Sequence, residues 1–250
     1  MKHIIFPLLL LVTNFTHALT KEDVMSVWKS THIAFYEELI KKNEHIKTIW
    51  TDTVDDKLVA VSKGLPREIK ISNRLLEFEN LRKVDLYNIF CHELGHLLGG
   101  PPYLMEYPGD LRTISVEGQA DYFAAKRCMG RLLPGIQVNE IYQEISEDDR
   151  IGLRVRGCET RRCQVIAHLS KRSLELFTGE YVSILENDHH VVQRTYPYQN
   201  SAQCRLDTFI AGAVSSSERN YYLAFTNYFN QFSNGQRPQC WFHPVDILSI

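Results

Sequence analysis

Two histidines and a glutamate in the stretch IFCHELGHLLGGPP (89–102) have a spacing that suits metal-assisted hydrolysis. His92 and His96 are four residues apart, so on a helix they share one face and can present ring nitrogens to a single ion. Glu93 lies about 100° round the helix from His92, close enough to accept a proton from a water bound to that ion. Gly95 adds no side chain beside the ion, which we expect to leave room for a sheet or a substrate. The stretch predicts half of a zinc site together with its general base.

A hydrolytic zinc site needs a third protein ligand and one open position for water. Glu117, early in the next predicted helix, is the best candidate for the third ligand. Asp121 lies one turn further along the same face and could fix the tautomer of a ligand histidine by accepting its hydrogen bond. Small residues such as Ala120 would let the two helices approach closely. We therefore expect one Zn²⁺ ion bound by His92, His96 and Glu117, although nitrogen and carboxylate ligands also suit manganese or cobalt.

Other interpretations of these residues remain open. A chain with ten histidines can contain H-E-x-x-H by chance in a core helix, although a helix end at Gly99-Gly100 and the acidic pair that follows favour the metal site. Cys91 is a conceivable ligand, but it points to a different face from His92 and suits a disulfide or a core thiol better. His189-His190 suits either a second metal site or a solvated loop.

A family resemblance follows from the two motifs. HELGH (92–96) followed by EGQADYFAAKRC (117–128) resembles the gluzincin zinc metallopeptidases of the HtpX and CAAX-prenyl-protease type. The resemblance implies a zincin-like fold, zinc bound by the two histidines and Glu117, Glu93 as the base and Asp121 behind the ligands. No later segment of the sequence is long and apolar enough to match the membrane helices of that family.

The same resemblance extends weakly to TYPYQNSAQCR (195–205). Peptidases of this type carry a His-Pro dipeptide some residues before an arginine, downstream of the zinc motifs. Here Tyr196 stands in the place of that histidine, followed by Pro197 and, further on, by Arg205. The resemblance therefore implies Tyr196 as a hydrogen-bond donor to the oxyanion and Arg205 as its support.

The N-terminus and the cysteines together predict export. A short basic start, an apolar run over 4–12 and the Thr16-His17-Ala18 triplet are typical of a signal peptide spanning 1–18, with cleavage near Ala18 or Thr20. The alternative is a buried N-terminal strand. We expect the mature chain to be soluble and secreted or periplasmic. Six cysteines then allow up to three disulfides in an oxidising compartment.

The connectivity of the cysteines is not fixed by the sequence, since six allow 15 pairings. Cys158 and Cys163, which close CETRRC, are the easiest local pair. Cys204 with Cys240 would staple the C-terminal region, and Cys91 with Cys128 is the remaining combination.

Periodicity indicates one α+β domain over 19–250, mostly helical, with a small β-sheet beside the active-site helix and a disulfide-stapled, helical C-terminal part. Short strands are expected between 46 and 72, and the strand Glu68–Ser72 is expected to pair with an extended substrate. A polar loop is expected around 186–201, and the predicted helices cover 21–43, 82–98, 114–129, 136–147, 160–178 and 202–230.

Net charge and composition bear on which classes of partner the protein can bind. The formal net charge is -2 with no run of lysine or arginine, so a nucleic-acid partner is not expected. The favoured function is an exported zinc metalloendopeptidase acting on a protein or peptide substrate. The alternatives are an exported zinc-containing binding or chaperone-like protein without turnover, and a disulfide-stapled interaction domain that needs no zinc.

Overall fold

The computed structural model describes residues 18–52, 58–61, 67–104, 114–217 and 236–244. Within these residues the chain is mixed α and β, as predicted, with a three-stranded sheet: β1 (Ile46–Thr51), β2 (Val59–Val61) and β3 (Arg67–Ser72). The α-helices are α1 (Lys21–Ala34), α2 (Tyr36–Lys41), α3 (Leu86–Leu98), α4 (Glu117–Phe123), α5 (Met129–Leu132), α6 (Gly135–Glu144), α7 (Glu147–Val155), α8 (Arg161–Thr178) and α9 (Ala202–Ser217). The predicted signal peptide lies almost wholly outside the described residues.

The sheet has the strand order β1-β3-β2, with β1 parallel and β2 antiparallel to the central strand. Ile69 and Ile71 of β3 are fully buried in the core, which explains why this strand lies in the middle. The prediction that Glu68–Ser72 pairs with substrate is wrong, because both edges of β3 are already hydrogen-bonded to neighbouring strands. Within the described part of the chain, the unpaired edge next to α3 belongs to β2.

Several predicted helices are shorter or divided in the structure. The predicted helix 21–43 breaks at Phe35, whose N–H bonds to the His32 carbonyl and whose ring is buried against Phe123. The helix predicted over 136–147 ends at Glu144, and Ser146 caps a new helix, α7. The helix predicted over 202–230 is described only to Ser217, and its remainder lies outside the described residues.

The helix that carries the two histidines ends as its sequence predicts. Leu98 is its last residue, and Gly100 adopts a positive φ of 79°, a conformation that glycine takes without steric cost. It begins later than expected, at Leu86, because Arg82 donates its N–H to the Asp85 carboxylate in a preceding turn.

Three disulfides tie the helices together: the two pairs that the sequence suggested and the remaining combination. Cys91 of α3 is bonded to Cys128, which ends a π-helical stretch (Ala124–Cys128) continuing α4. Cys158 is bonded to Cys163, and Cys204 of α9 to Cys240. These bonds are compatible with an exported protein. Among the described residues, no helix has both the length and the apolarity needed to cross a bilayer.

Candidate metal centre

His92 and His96 meet on one face of α3, one helical turn apart. Their rings are nearly perpendicular with centroids 4.7 Å apart, and their Nε2 atoms are separated by 3.2 Å. The Glu117 carboxylate faces both rings, at 3.2 Å from His92 Nε2 and 3.8 Å from His96 Nε2. Each of the three side chains brings one ligand atom to within 4.8 Å of the other two. The predicted ligands therefore converge on one point.

Glu117 reaches the histidines because α4 crosses α3 at very short range. At the crossing Gly95 faces the backbone of Ala120, and a β-carbon on residue 95 would lie 2.6 Å from the Ala120 carbonyl oxygen. The expectation that Gly95 leaves room for a sheet or substrate is wrong, since the space is filled by α4. Just before α4, the Ser115 N–H donates to the His96 carbonyl at 2.8 Å, which fixes the approach of the second helix.

The Nδ1 atoms of both histidines are occupied, and this directs Nε2 toward the ligand position. His92 Nδ1 is 2.7 Å from Asp121 Oδ1, as predicted for that carboxylate, and His96 Nδ1 is 2.8 Å from the Ser115 carbonyl oxygen. Both oxygens are acceptors, so each Nδ1 carries a hydrogen and Nε2 is the ring atom that would contact a metal ion.

Arg205 holds Asp121 in a bidentate ion pair. The guanidinium donates from Nε to Oδ2 and from Nη2 to Oδ1, each at 2.8 Å, and Asp121 has no exposed surface. Burial opposes the charge on Asp121, but Arg205 and His92 outweigh it and lower the pKa of this carboxyl below its usual value. Asp121 therefore stays ionised and keeps the His92 ring basic and correctly oriented.

The acidic groups around His92 favour the protonated form of its ring. Burial lowers the pKa of His92, but Asp121 and Glu117 outweigh burial and raise the pKa from 6.5 to about 10. Burial raises the pKa of Glu117, but His92, His96 and Arg205 outweigh burial and hold the pKa well below its usual value. The site thus surrounds the His92 ring with two carboxylates. A divalent cation that binds there would displace the proton on the ring.

Glu93 lies beside the ligands without being one of them. Its side chain is only 6% exposed, and Oε2 accepts a hydrogen bond from the Val61 N–H of β2 at 2.9 Å. Burial raises the pKa of Glu93 above its usual value, against the opposing effect of the two histidines. A buried carboxylate with a raised pKa beside the candidate ligands suits proton transfer.

The site opens into a cavity of about 620 Å³. Its walls are β2 with the preceding Leu58, one face of α3, the C-terminal half of α8, and the segment from Pro197 to Arg205. The two ligand histidines, Glu93 and Glu117 all line this cavity. The cluster is therefore accessible to a molecule larger than water.

Tyr196, the predicted oxyanion donor, does not line the cavity. Its side chain is 43% exposed and meets Tyr198 edge-on, while its N–H donates to the Trp241 carbonyl at 2.7 Å. The next residue contributes instead through its backbone, because the Pro197 carbonyl accepts from the Glu117 N–H at 3.3 Å. Arg205 lines the cavity, and its side chain supports Asp121.

Sequence reasoning missed contributors that act through the main chain. The Val61 N–H and the carbonyls of Ser115 and Pro197 hold Glu93, His96 and Glu117 respectively. Main-chain groups are the same in every residue, so no sequence signal marks them. A second missed residue is Asn88, which lines the cavity. Its position four residues before His92 could have indicated the shared face.

The ligand set fits zinc in its chemistry. Two imidazole nitrogens with fixed tautomers and one carboxylate are a known arrangement for catalytic zinc, with a fourth position left for water. A second group of ligand-type residues, Asp188 with Cys204 and Cys240, is excluded as a metal site because the two cysteines form a disulfide. Within the described residues, His189 and His190 join no such group.

Comparisons of the chain with protein-family models, with curated proteins and with solved structures found no match. The resemblance to gluzincin peptidases therefore depends on the two motifs alone. What the site does has to be argued from its own geometry.

Proposed function

We propose that this protein is an exported zinc-dependent metallopeptidase that hydrolyses peptide bonds. The observation that supports the proposal is the convergence of His92, His96 and Glu117 beside a buried, unliganded Glu93 in one open cavity. A site that only stabilised the fold would use four protein ligands and would need no accessible cavity or neighbouring base.

His92, His96 and Glu117 would hold the zinc ion, which would supply Lewis acidity and make water a stronger nucleophile near neutral pH. Glu93 accepts a proton from the attacking water and passes it to the leaving amine. Because the pKa of Glu93 is raised, the carboxylate is a better proton acceptor than an ordinary glutamate when it takes the proton from water. The resulting acid can then give that proton to the amine. The Val61 N–H orients the carboxylate by holding one of its oxygens.

Arg205 is the side chain best suited to steady the oxyanion. Its Nε and Nη2 atoms are committed to Asp121, whereas Nη1 has no hydrogen-bond partner among the described residues. A guanidinium already fixed by a buried carboxylate loses little entropy when its remaining N–H groups meet developing negative charge. We therefore assign to Arg205 the role that the sequence suggested for Tyr196.

The edge of β2 that is unpaired among the described residues is a suitable place for substrate backbone. The Leu58 carbonyl accepts a hydrogen bond from the Ser72 N–H, so the backbone N–H and carbonyl groups of Leu58 and Ala60 point toward β3. Those of Val59 and Val61 point toward the opposite edge of β2. The Val61 N–H is occupied by Glu93, so within the described part of the chain the backbone groups of Val59 are the ones left unpaired at the cavity. An extended peptide can bind there as an added strand.

The test is the Glu93→Gln variant, compared with Glu140→Gln, which changes an exposed glutamate on α6. Both variants should retain one zinc per chain by metal analysis. Glu93→Gln should lose chelator-sensitive cleavage of a peptide mixture, whereas Glu140→Gln should cleave like the parent. Undiminished cleavage by Glu93→Gln would overturn the mechanism. Stoichiometric zinc without any cleavage by the parent would favour a binding or chaperone-like protein.

A further inference from the structure

The cavity beside the metal ligands extends along α8 to the C-terminal end of that helix. Asn88 Nδ2 of α3 donates to Ser170 Oγ of α8 at 2.9 Å, which fixes the contact between the two helices. Thr178, the last residue of α8, is eight residues further on, or about 12 Å along the helix axis. Both Thr178 and Glu180, just after the helix, line the cavity. The cavity therefore continues past the helix contact to the C-terminus of α8.

Glu180 contributes a carboxylate to this end of the cavity. Its backbone is held in place, because the Glu180 N–H donates to Thr178 Oγ1 at 3.1 Å and Gly179 caps the helix with a φ of 70°. Its side chain is exposed, and it forms no hydrogen bond or ion pair with any residue that the structure describes. The carboxylate is therefore positioned by the fold and remains accessible to a ligand.

Glu180 is the only carboxylate among the described lining residues that lies outside the metal centre. Glu93 and Glu117 belong to that centre. Arg205 is the only lysine or arginine among the same residues, and its charge is paired with Asp121. The described walls of the cavity therefore provide no cation to neutralise Glu180.

The C-terminus of α8 adds to the negative potential at this end. A helix carries a partial negative charge at its C-terminus, where cations are stabilised. The last turn of α8, ELFT (175–178), contains no lysine, arginine or histidine that would offset this charge. The carboxylate and the helix end thus favour the same kind of group on a ligand, which is a cation.

The helix turns that precede Glu180 supply an apolar wall. Leu174 and Phe177 line the cavity, and the Phe177 ring is held edge-on by Phe78 with centroids 5.2 Å apart. The side chains of lysine and arginine pack their hydrocarbon stems against such surfaces while the charged group stays in a polar environment. An apolar wall that leads to an exposed carboxylate fits a long side chain of this kind.

We propose that this end of the cavity, formed by Leu174, Phe177 and Glu180, is a subsite for a lysine or arginine side chain of the substrate. The assignment rests on the peptidase function proposed above and specifies the class of substrate which that function prefers. Glu180 pairs with the cationic group, and the apolar wall contacts the hydrocarbon stem. Because Glu180 is exposed, the pair contributes modestly to binding and weakens as the salt concentration rises.

The test is the pattern of cleavage sites in a synthetic library of N-acetylated peptides, mapped by mass spectrometry. Acetylation removes the terminal amine, so any preferred cation must belong to a side chain. The parent should show lysine and arginine enriched at one position relative to the scissile bond. Glu180→Gln should lose that enrichment, and Glu180→Lys should favour aspartate or glutamate at the same position. A purely structural role of Glu180 would not produce this reversal.

The matched control is Glu186→Gln, which changes a nearby exposed glutamate that does not line the cavity and should keep the cleavage pattern of the parent. A peptide pair that differs only in lysine or norleucine at the preferred position measures the size of the effect. The parent should cleave the lysine peptide about three- to fivefold faster in kcat/KM at low salt. That ratio should approach one in Glu180→Gln, and in the parent at about 1 M salt.

The possible failures separate the subsite from the peptidase. Chelator-sensitive cleavage by the parent without enrichment of basic residues, or the same enrichment in Glu180→Gln, would overturn the subsite and leave the peptidase standing. Absence of any chelator-sensitive cleavage by the parent would overturn the peptidase, and the subsite with it.

Discussion

Arg205 binds Asp121 through two hydrogen bonds of 2.8 Å, across 84 residues of sequence. Because Asp121 in turn contacts His92 Nδ1 at 2.7 Å, this ion pair links α9 to the metal ligands on α3. The chain therefore supports the proposed metal position with a buried carboxylate whose pKa is lowered. Each part of this arrangement can be tested separately.

Asp121→Asn should weaken zinc binding by about 10- to 100-fold. An amide cannot accept both hydrogen bonds from the Arg205 guanidinium, and it does not raise the basicity of His92. Competition with a coloured chelator measures the affinity. Asp148→Asn, an exposed aspartate of α7, is the control and should bind zinc like the parent. Equal affinities in the two variants would contradict the assigned role of Asp121.

Zinc binding at pH 7 should release about one proton from the site, because the pKa of His92 is raised from 6.5 to about 10 in the metal-free chain. The ligand must lose that proton, so apparent affinity should fall as the pH is lowered. Calorimetry in buffers of different ionisation enthalpy counts the protons. A binding enthalpy that is independent of the buffer would contradict a protonated His92.

The raised pKa of Glu93 should appear as the acid limb of the pH profile of kcat/KM, because the base must be ionised and is lost as the pH falls through that pKa. Val61→Pro removes the N–H that stabilises the carboxylate, so the acid limb should move to higher pH. Val61→Ala keeps the N–H and serves as the control. An acid limb that does not differ between the two variants would exclude the backbone contact as a determinant.

Gly95→Ala should be destabilising by about 1–3 kcal/mol and should impair zinc binding, because its β-carbon would lie 2.6 Å from the Ala120 carbonyl and push α4 away from α3. Gly130→Ala on α5 is the matched control, since its β-carbon would meet Ile166 Cδ1 at an ordinary 3.9 Å. Denaturant unfolding and metal analysis measure both effects. A tolerated Gly95→Ala would show that the helices can separate without loss of the site.

Replacing Cys91 and Cys128 together by alanine should cost about 4 kcal/mol of stability in the chain-entropy model, because that bond closes a separation of 37 residues. The same change at Cys158 and Cys163, with a separation of 5, should cost about 2 kcal/mol. Only the first pair joins the two helices that carry the metal ligands, so only its loss should also reduce zinc affinity. Equal effects on zinc affinity would contradict this distinction.

Local sequence determined the features that follow from helix geometry. Two histidines four residues apart must share a helix face, and a Gly-Gly-Pro-Pro segment must end that helix, so the position of α3 and its end at Leu98 were predictable. The spacing of Glu117 and Asp121 likewise predicted one face of a second helix. The sequence suggested the local pair Cys158–Cys163 but left the connectivity of the six cysteines open, and the structure decided it.

Only the tertiary structure decided which groups meet across long separations. Strand order depends on backbone pairing between distant segments, so the sequence could not show that β3 lies between β1 and β2 among the strands that the structure describes. Main-chain donors such as the Val61 N–H carry no residue identity, and Tyr196 was assigned by analogy with a motif rather than by packing. Helical periodicity is encoded within a few residues, whereas the cavity that Asn88 and Glu180 line exists only because α3 and α8 pack together.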